Sequence, residues 1–288
     1  MSNKDLLDNI KKLRELTGVG FKDCKSALDE TKGDLEKSIE FLRKKGIAKA
    51  SKKMNRTASE GLVLVKELNN QISVIEINSE TDFVAKNKDF ISFCKELSDI
   101  NFTVLGNLER LNATKMKNDI LVKDNLVSLI AKIGEKITIR RAKFFDNKNS
   151  MNFSYVHSAI EKNIGKIISI VKLEGLEEGK NKDVGTKIAM HIAASSPLAI
   201  DKEGIKKEII DKELEIIKAE ITNSGKPPEM ADKISKGKIA KFINDNTLLN
   251  QIWIMDPKKK VSDILKECKI DKDIKVIDFV RYKVGEGV

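Results

Sequence analysis

The stretch that decides the fold runs from Gly61 to Ile77 and reads GLVLVKELNNQISVIEI. Two apolar, β-branched runs, residues 62–65 and 72–77, flank the pair Asn69-Asn70. Such runs are typical of strands, and Asn is favoured in tight turns because it tolerates a positive φ. The pattern therefore predicts a β-hairpin.

The order of elements after this hairpin occurs twice. Helical patterns around residues 88–97 and 119–132 lead through Gly134 to a predicted strand at 137–142. A second strand pair, 153–157 and 165–174, is again followed by a helix, 183–194, and by a late strand at 276–282. This repetition predicts an α+β fold with two related α/β sandwich subdomains, each with an antiparallel sheet.

Two further pieces complete the predicted organisation. Three short helices and a basic linker form a small N-terminal module over residues 1–54, and the two core subdomains cover 55–148 and 149–288. Within the second subdomain, long helical patterns on both sides of Gly225-Lys226-Pro227-Pro228 predict a protruding antiparallel helical hairpin at about 203–246. Its apolar stripe is explained equally well by internal packing and by a second protein surface.

The composition is that of a soluble globular protein, with 40% hydrophobic and 34% charged residues over 288 positions. No apolar run reaches the roughly 18 residues of a membrane-spanning helix, and the N-terminus shows no signal core. The three cysteines, Cys24, Cys94 and Cys268, are far apart and form no metal-binding motif. These features lead us to expect a cytoplasmic protein without a disulfide framework or bound metal.

The net charge of +10 raises the question of nucleic-acid binding. Lysine dominates, since only seven of the 54 basic residues are arginine, and aromatic residues make up 5% of the chain. Bidentate phosphate contacts favour arginine and base stacking needs aromatic rings. We therefore expect no direct nucleic-acid contact, with a basic RNA-binding or ribosome-associated protein as the alternative.

Few residues in the sequence could perform catalysis. The two histidines, His157 and His191, lie in a strand pattern and a helix pattern without a matching carboxylate or nucleophile motif. No phosphate-binding glycine loop or zinc-protease motif occurs. The sequence predicts a binding protein that is not an enzyme and uses no cofactor.

One short segment, Thr81-Asp82-Phe83-Val84, lies between a predicted strand and a predicted helix. In one interpretation Phe83 is a hydrophobic staple that packs on that helix, with Thr81 or Asp82 near the helix N-cap. In the other, Phe83 is an anchor that inserts into a pocket of a partner protein. The local pattern alone favours the staple.

Six blocks of sequence carry a family resemblance that changes this balance. They are residues 13–28 (LRELTGVGFKDCKSAL), 81–86 (TDFVAK), 131–137 with Arg140-Arg141 (AKIGEKI), 190–195 (MHIAAS), 224–227 (SGKP) and 284–287 (VGEG). They occur in family order over nearly the whole chain. The sequence resembles the elongation factor Ts family.

The resemblance implies an exchange factor that binds the GDP-bound and nucleotide-free forms of elongation factor Tu, the GTPase that carries aminoacyl-tRNA. It implies that the segment of Thr81, Asp82, Phe83 and Val84 enters beside the nucleotide site, that Mg²⁺ is displaced there, and that GDP leaves so that GTP can rebind. It further implies a UBA-like docking module, a coiled-coil hairpin and a possible homodimer through that hairpin or the C-terminal subdomain. The docking residues implied are Arg14, Thr17, Gly18, Phe21 and His191.

Overall fold

The structure is a computed structural model and describes residues 3–17, 19–176, 182–223 and 228–288. Its helices are α1 (Asn3–Thr17), α2 (Phe21–Glu30), α3 (Leu35–Ser51), α4 (Asp82–Ala85), α5 (Lys88–Thr103), α6 (Leu108–Ala113), α7 (Val122–Ile133), α8 (Lys182–Ser195), α9 (Lys207–Asn223), α10 (Pro228–Asn246) and α11 (Val261–Glu267). Its strands are β1 (Glu60–Leu68), β2 (Gln71–Ser79), β3 (Ile137–Phe145), β4 (Met151–Glu161), β5 (Ile164–Glu174) and β6 (Lys275–Lys283). The predicted α+β class is confirmed.

The strand pairing is antiparallel throughout and has the same order in both halves. A hairpin, β1–β2 or β4–β5, is followed by helices and then by a third strand, β3 or β6, that pairs with the second strand of the hairpin. The two sheets that we expected are nevertheless joined into one six-stranded sheet. Val63 pairs with Gly165 and Leu64 pairs with Ile164, which gives the edge of β1 partners that it would otherwise lack.

Both faces of the central hairpin are buried, which explains why its strands read as continuous apolar runs. Leu62 and Leu64 pack with α5 and α7 in one core, whereas Val63 and Val65 point to the opposite face. That opposite core also contains Ile168 and Ile170 of β5 together with side chains of β6. The two halves therefore pack sheet face against sheet face, with helices outside. The core beneath α8 and α11 completes the C-terminal half.

The N-terminal helices form their own small core, made by Ile10, Leu13, Cys24, Ala27, Leu28 and Leu42. The basic linker that we expected at the end of this module is wrong as far as Ser51, because α3 extends to that residue. Gly46 of α3 lies so close to α7 that an added Cβ would be 3.4 Å from the Cβ of Ala131. An ion pair of 2.9 Å between Arg43 and Asp124 adds to this contact, so the module is docked on α7.

The predicted helical hairpin corresponds to α9 and α10, which pack against each other. Ile217 and Ile221 of α9 are buried. The proposed turn at Gly225–Pro227 lies outside the described residues. Within the described ranges, no helix combines the length and apolar character needed to cross a bilayer.

Glu76 of β2 is completely buried although it is charged. Its Oε1 lies 3.0 Å from Arg140 Nη1 and its Oε2 lies 2.5 Å from Arg141 Nε, both on β3. The side-chain amide of Asn78 donates a further hydrogen bond of 3.1 Å to Oε1. Burial of a carboxylate is costly unless it is paired and hydrogen-bonded, so these groups are what allows Glu76 to lie inside.

The same carboxylate holds the segment that follows β6. The backbone N–H of Gly285 donates to Glu76 Oε1 at 3.0 Å. Gly285 has φ +74°, and an added Cβ would lie only 2.0 Å from the carbonyl oxygen of Ser59, so glycine is required there. The Arg141 guanidinium lies 4.2 Å from the centre of the Tyr282 ring, and burial raises the pKa of Tyr282 to about 12.

His191 of α8 is buried in the C-terminal half, where its ring stacks on Trp253 with centroids 5.3 Å apart. The Gln251 amide nitrogen donates to the carbonyl oxygens of Ser195 and Asp245, which turns its Oε1 towards His191 Nε2 at 3.0 Å. Nε2 must then carry the proton in the neutral ring. Burial lowers the pKa of His191, and the bond to Gln251 only partly opposes this shift.

Replacement of Glu76 by Gln is expected to lower the free energy of unfolding by about 3 kcal/mol, because it leaves two arginines without their carboxylate. Urea denaturation at pH 7 measures the change. The control is Glu60→Gln. Glu60 is more exposed than Glu76 and pairs with Lys166 at 2.8 Å, so its loss should cost less than about 1 kcal/mol. Equal midpoints for the two variants would contradict the structural role of Glu76.

His191 should make stability depend on pH below about 6.5, the ordinary histidine pKa. Since its folded-state pKa is lowered, the unfolded chain takes up the proton first as the pH falls, and stability declines by up to about 1.4 kcal/mol per pH unit. Urea midpoints between pH 7.5 and 5 test this. His191→Gln should flatten the slope, whereas the exposed His157→Gln should retain it. An unchanged slope in His191→Gln would refute the assignment.

Candidate functional site

Phe83 is the most exposed large apolar side chain among the described residues, with 79% of its surface accessible. It lies on the four-residue helix α4, directly after β2. The next two residues, Val84 and Ala85, are 6% and 1% exposed and pack in the core that Leu62 and Leu64 form with α5 and α7. Since successive helical side chains point about 100° apart, the burial of these two turns Phe83 outward. The turn thus has an anchored side and an apolar tip.

The staple interpretation of Phe83 is wrong in the described structure. A staple would be packed on α5, but Phe83 projects into solvent. The N-cap of α5 is Asn87, whose Oδ1 accepts from the backbone N–H groups of Asp89 and Phe90 at 2.9 and 3.3 Å. Since Asn87 satisfies these donors, neither Thr81 nor Asp82 is needed as a cap for that helix.

Thr81 is fixed by a carboxylate from the turn between α7 and β3. Its backbone N–H donates to Glu135 Oε2 at 3.0 Å and its hydroxyl donates to Glu135 Oε1 at 2.7 Å. The hydroxyl of Ser79 donates to the Thr81 carbonyl oxygen at 3.0 Å. The start of α4 is therefore tied on both sides of Thr81.

Asp82 is partly exposed and forms an ion pair of 2.7 Å with Lys86, one helical turn later. The hydrogen bond from Lys86 lowers the pKa of the Asp82 carboxyl, and the positive charge of Lys166 lowers it further. Asp82 is therefore ionised at neutral pH and can accept hydrogen bonds from a binding partner. The site accordingly presents an apolar ring beside a negative charge.

The residues predicted to dock on a partner are placed differently from one another. Arg14 and Phe21 are exposed, the latter by 47%. Thr17 is half-buried, and its hydroxyl donates to the Leu13 carbonyl oxygen at 2.6 Å, so it helps to end α1. Gly18 lies outside the described residues. Next to the end of α1, a groove of about 290 Å³ is lined by residues of α1, α3 and α7.

His191 does not belong to any exposed surface of the chain. Its ring is fully buried, stacked on Trp253 and hydrogen-bonded to Gln251. As described, this arrangement offers a partner no contact with the ring. The sequence placed His191 on a helix correctly, but it could not show which face of α8 is covered by the loop after α10.

The sequence analysis did not identify three residues that shape the candidate site or expose apolar surface near it. Leu16 is 67% exposed at the end of α1. Glu76 and Glu135 hold distant segments together, and their signals were a charged residue within an apolar strand and a carboxylate directly after a helix-ending glycine. Over the described ranges, no group of three His, Cys, Asp or Glu side chains is arranged to hold a metal ion.

Comparisons with known proteins agree on one family. A family profile described as "Elongation factor TS" matches residues 80–286. The elongation factor Ts of Methylobacterium nodulans is 42% identical over 283 residues, which cover 97% of this chain and 92% of the relative. That of Xanthobacter autotrophicus shows the same identity and coverage, and that of Gluconobacter oxydans is 37% identical over 97% of this chain and 91% of its own length. The chain belongs to the elongation factor Ts family.

Proposed function

We propose that this chain releases GDP from elongation factor Tu by inserting Phe83 beside the bound nucleotide. The observation that carries this proposal is the exposure of Phe83 on an anchored turn. An aromatic ring has few rotors to immobilise and buries a large apolar area, which is the character of interface residues that dominate binding energy. In the free chain the ring has no packing partner, and a pocket in the GTPase supplies one.

The release of GDP follows from reciprocal coupling. A protein that binds the nucleotide-free GTPase more tightly than the GDP-bound form weakens GDP binding by the same factor. A Mg²⁺ ion bound with the diphosphate is among the largest local charges in such a site. The inserted segment, with the ionised carboxylate of Asp82 beside Phe83, displaces that ion and removes much of the attraction for GDP. No covalent chemistry is required of this chain.

The N-terminal module provides a separate docking surface in this proposal. Leu16 near the end of α1 and Phe21 at the start of α2 expose apolar area, and Arg14 adds a positive charge. Because α3 is docked on α7, this surface and the Phe83 turn belong to the same half of the molecule. Docking through the module brings the turn to the nucleotide site.

The contacts of the arginine side chains do not favour an RNA-binding surface. Five of the seven are engaged with carboxylates of the chain itself, namely Arg43, Arg56, Arg140, Arg141 and Arg281. The guanidinium groups of Arg140, Arg141 and Arg281 are also mostly buried, which makes these three poorly available for bidentate phosphate contacts. The positive charge that remains is mostly lysine.

Phe83→Ala is expected to reduce the acceleration of GDP release by roughly 30-fold or more, since an interface anchor contributes at least about 2 kcal/mol and each 1.4 kcal/mol is tenfold. The measurement follows fluorescently labelled GDP leaving elongation factor Tu over a range of exchange-factor concentrations. Because the side chain is exposed, the urea midpoint of the variant should match that of the wild type.

The matched control is Leu68→Ala, which removes a side chain of similar apolar character that is 53% exposed at the end of β1. This variant should release GDP at the wild-type rate. Wild-type activity in Phe83→Ala would overturn the proposed role of the segment, and loss of activity in both variants would show that the effect is not specific to the Phe83 turn.

Phe21→Ala tests the docking surface separately. We expect the half-saturating concentration to rise by about fivefold while the maximal rate of GDP release stays within twofold, because the ring contributes to docking and not to the displacement of nucleotide. The same stopped-flow titration provides both parameters. A fall in the maximal rate without a change in half-saturation would contradict this division of roles.

A further inference from the structure

The turn between α7 and β3 carries an interaction that the proposed insertion of Phe83 does not by itself explain. Helix α7 ends at Ile133, and Gly134 follows with a left-handed φ of +88°. This reversal directs the chain into β3, whose first residue, Ile137, pairs with Ser79 at the end of β2. The two residues between, Glu135 and Lys136, therefore lie beside the entrance to α4.

Two carboxylates cross this gap in opposite directions. Glu135 accepts the backbone N–H and the hydroxyl of Thr81, at 3.0 and 2.7 Å. In return, Glu80 accepts the backbone N–H of Lys136 at 2.5 Å. Hydrogen bonds to an ionised carboxylate are roughly twice as strong as neutral ones. The chain on each side is thus held through its backbone.

Helix α4 has little stability of its own. Four residues are far below the length at which a helix persists in water. Thr81 occupies its N-cap position, but its side chain accepts no capping hydrogen bond, and its hydroxyl donates to Glu135. The position of the turn therefore depends on two supports, the bonds to Glu135 at its start and the burial of Val84 and Ala85 on its inner side.

We propose that Glu135 is a positioning residue for nucleotide exchange, which holds the start of α4 so that Phe83 is already oriented for insertion. This inference rests on the proposed function of Phe83. If only a fraction of molecules presents the turn correctly, the apparent affinity falls by that fraction. Glu135 keeps this fraction high without touching the partner's nucleotide.

The first test is hydrogen–deuterium exchange of the free, full-length chain. In Glu135→Ala, the amides of residues 81–87 should exchange about tenfold faster, since two charge-assisted hydrogen bonds are lost. The peptides of β4 and β5 should keep their wild-type exchange. Thr81→Ser, which retains the hydroxyl, should behave as the wild type, whereas Thr81→Val, which loses one of the two bonds, should lie between. Wild-type protection of residues 81–87 in Glu135→Ala would overturn the proposal.

The second test is GDP release from elongation factor Tu. Glu135→Ala should raise the half-saturating concentration about tenfold and leave the maximal rate within twofold, because a bound partner orders the turn again. Glu267→Ala is the matched control, since it removes a carboxylate that accepts from Lys259 at 2.7 Å on α11 in the other half. It should change neither parameter. Faster amide exchange with unchanged GDP release would also overturn the positioning role.

The two proposals fail in different ways. If Phe83→Ala is fully active while Glu135→Ala loses activity and protection, the insertion of Phe83 is wrong and Glu135 acts through another part of the turn. If Phe83→Ala is inactive while Glu135→Ala is fully active, the positioning role alone is overturned.

Discussion

The ion pairs of the buried Glu76 carboxylate with Arg140 and Arg141 are the interaction on which the rest of the structure depends. The register of β2 against β3 shifts between Glu76 and Ile77, so that Arg140 is an extra residue with no partner in the ladder. Neighbouring residues of a regular strand point to opposite faces, but the bulge lets Arg140 and Arg141 reach the same carboxylate. With Gly285 as a further donor, one side chain joins β2, β3 and the segment after β6.

This anchor also determines where the candidate site forms. The bulge sets the register of the remaining pairs, which end at Ser79 opposite Ile137. A shift by one residue would move Glu135 away from Thr81 and reverse the direction of the side chains on β2. An apolar replacement of a buried ion pair is often neutral or stabilising, so stability alone does not explain a charge at this position. The contacts of Glu76 fix the register at the bulge, and that register sets the position of the chain that leads to Phe83.

The local features of the fold could be predicted from the sequence, whereas the features that depend on distant residues could not. The hairpin and the helices each follow from patterns within about 20 residues, whereas the local pattern around Phe83 favoured a packed ring. The single sheet depends on Val63 meeting Gly165, and the docked α3 depends on contacts with α7. The outward direction of Phe83 needed the bonds of Thr81 to Glu135, 54 positions away, and a local pattern cannot show them.

In its proposed role, Phe83 must be apolar and must also stay exposed in the free chain. These two requirements usually conflict. An apolar ring intended for a partner is unfavourable in water, and a free chain would tend to turn it inward. Here the inner side of α4 is already filled by Val84 and Ala85, and Thr81 cannot rotate while it is bound to Glu135. The side chains of Val84 and Ala85 occupy the inner side of α4, and the Glu135 carboxylate holds the backbone of Thr81. Phe83 therefore stays in solvent while Val84 and Ala85 occupy the inner side of α4, and its apolar surface remains available for the insertion that we propose.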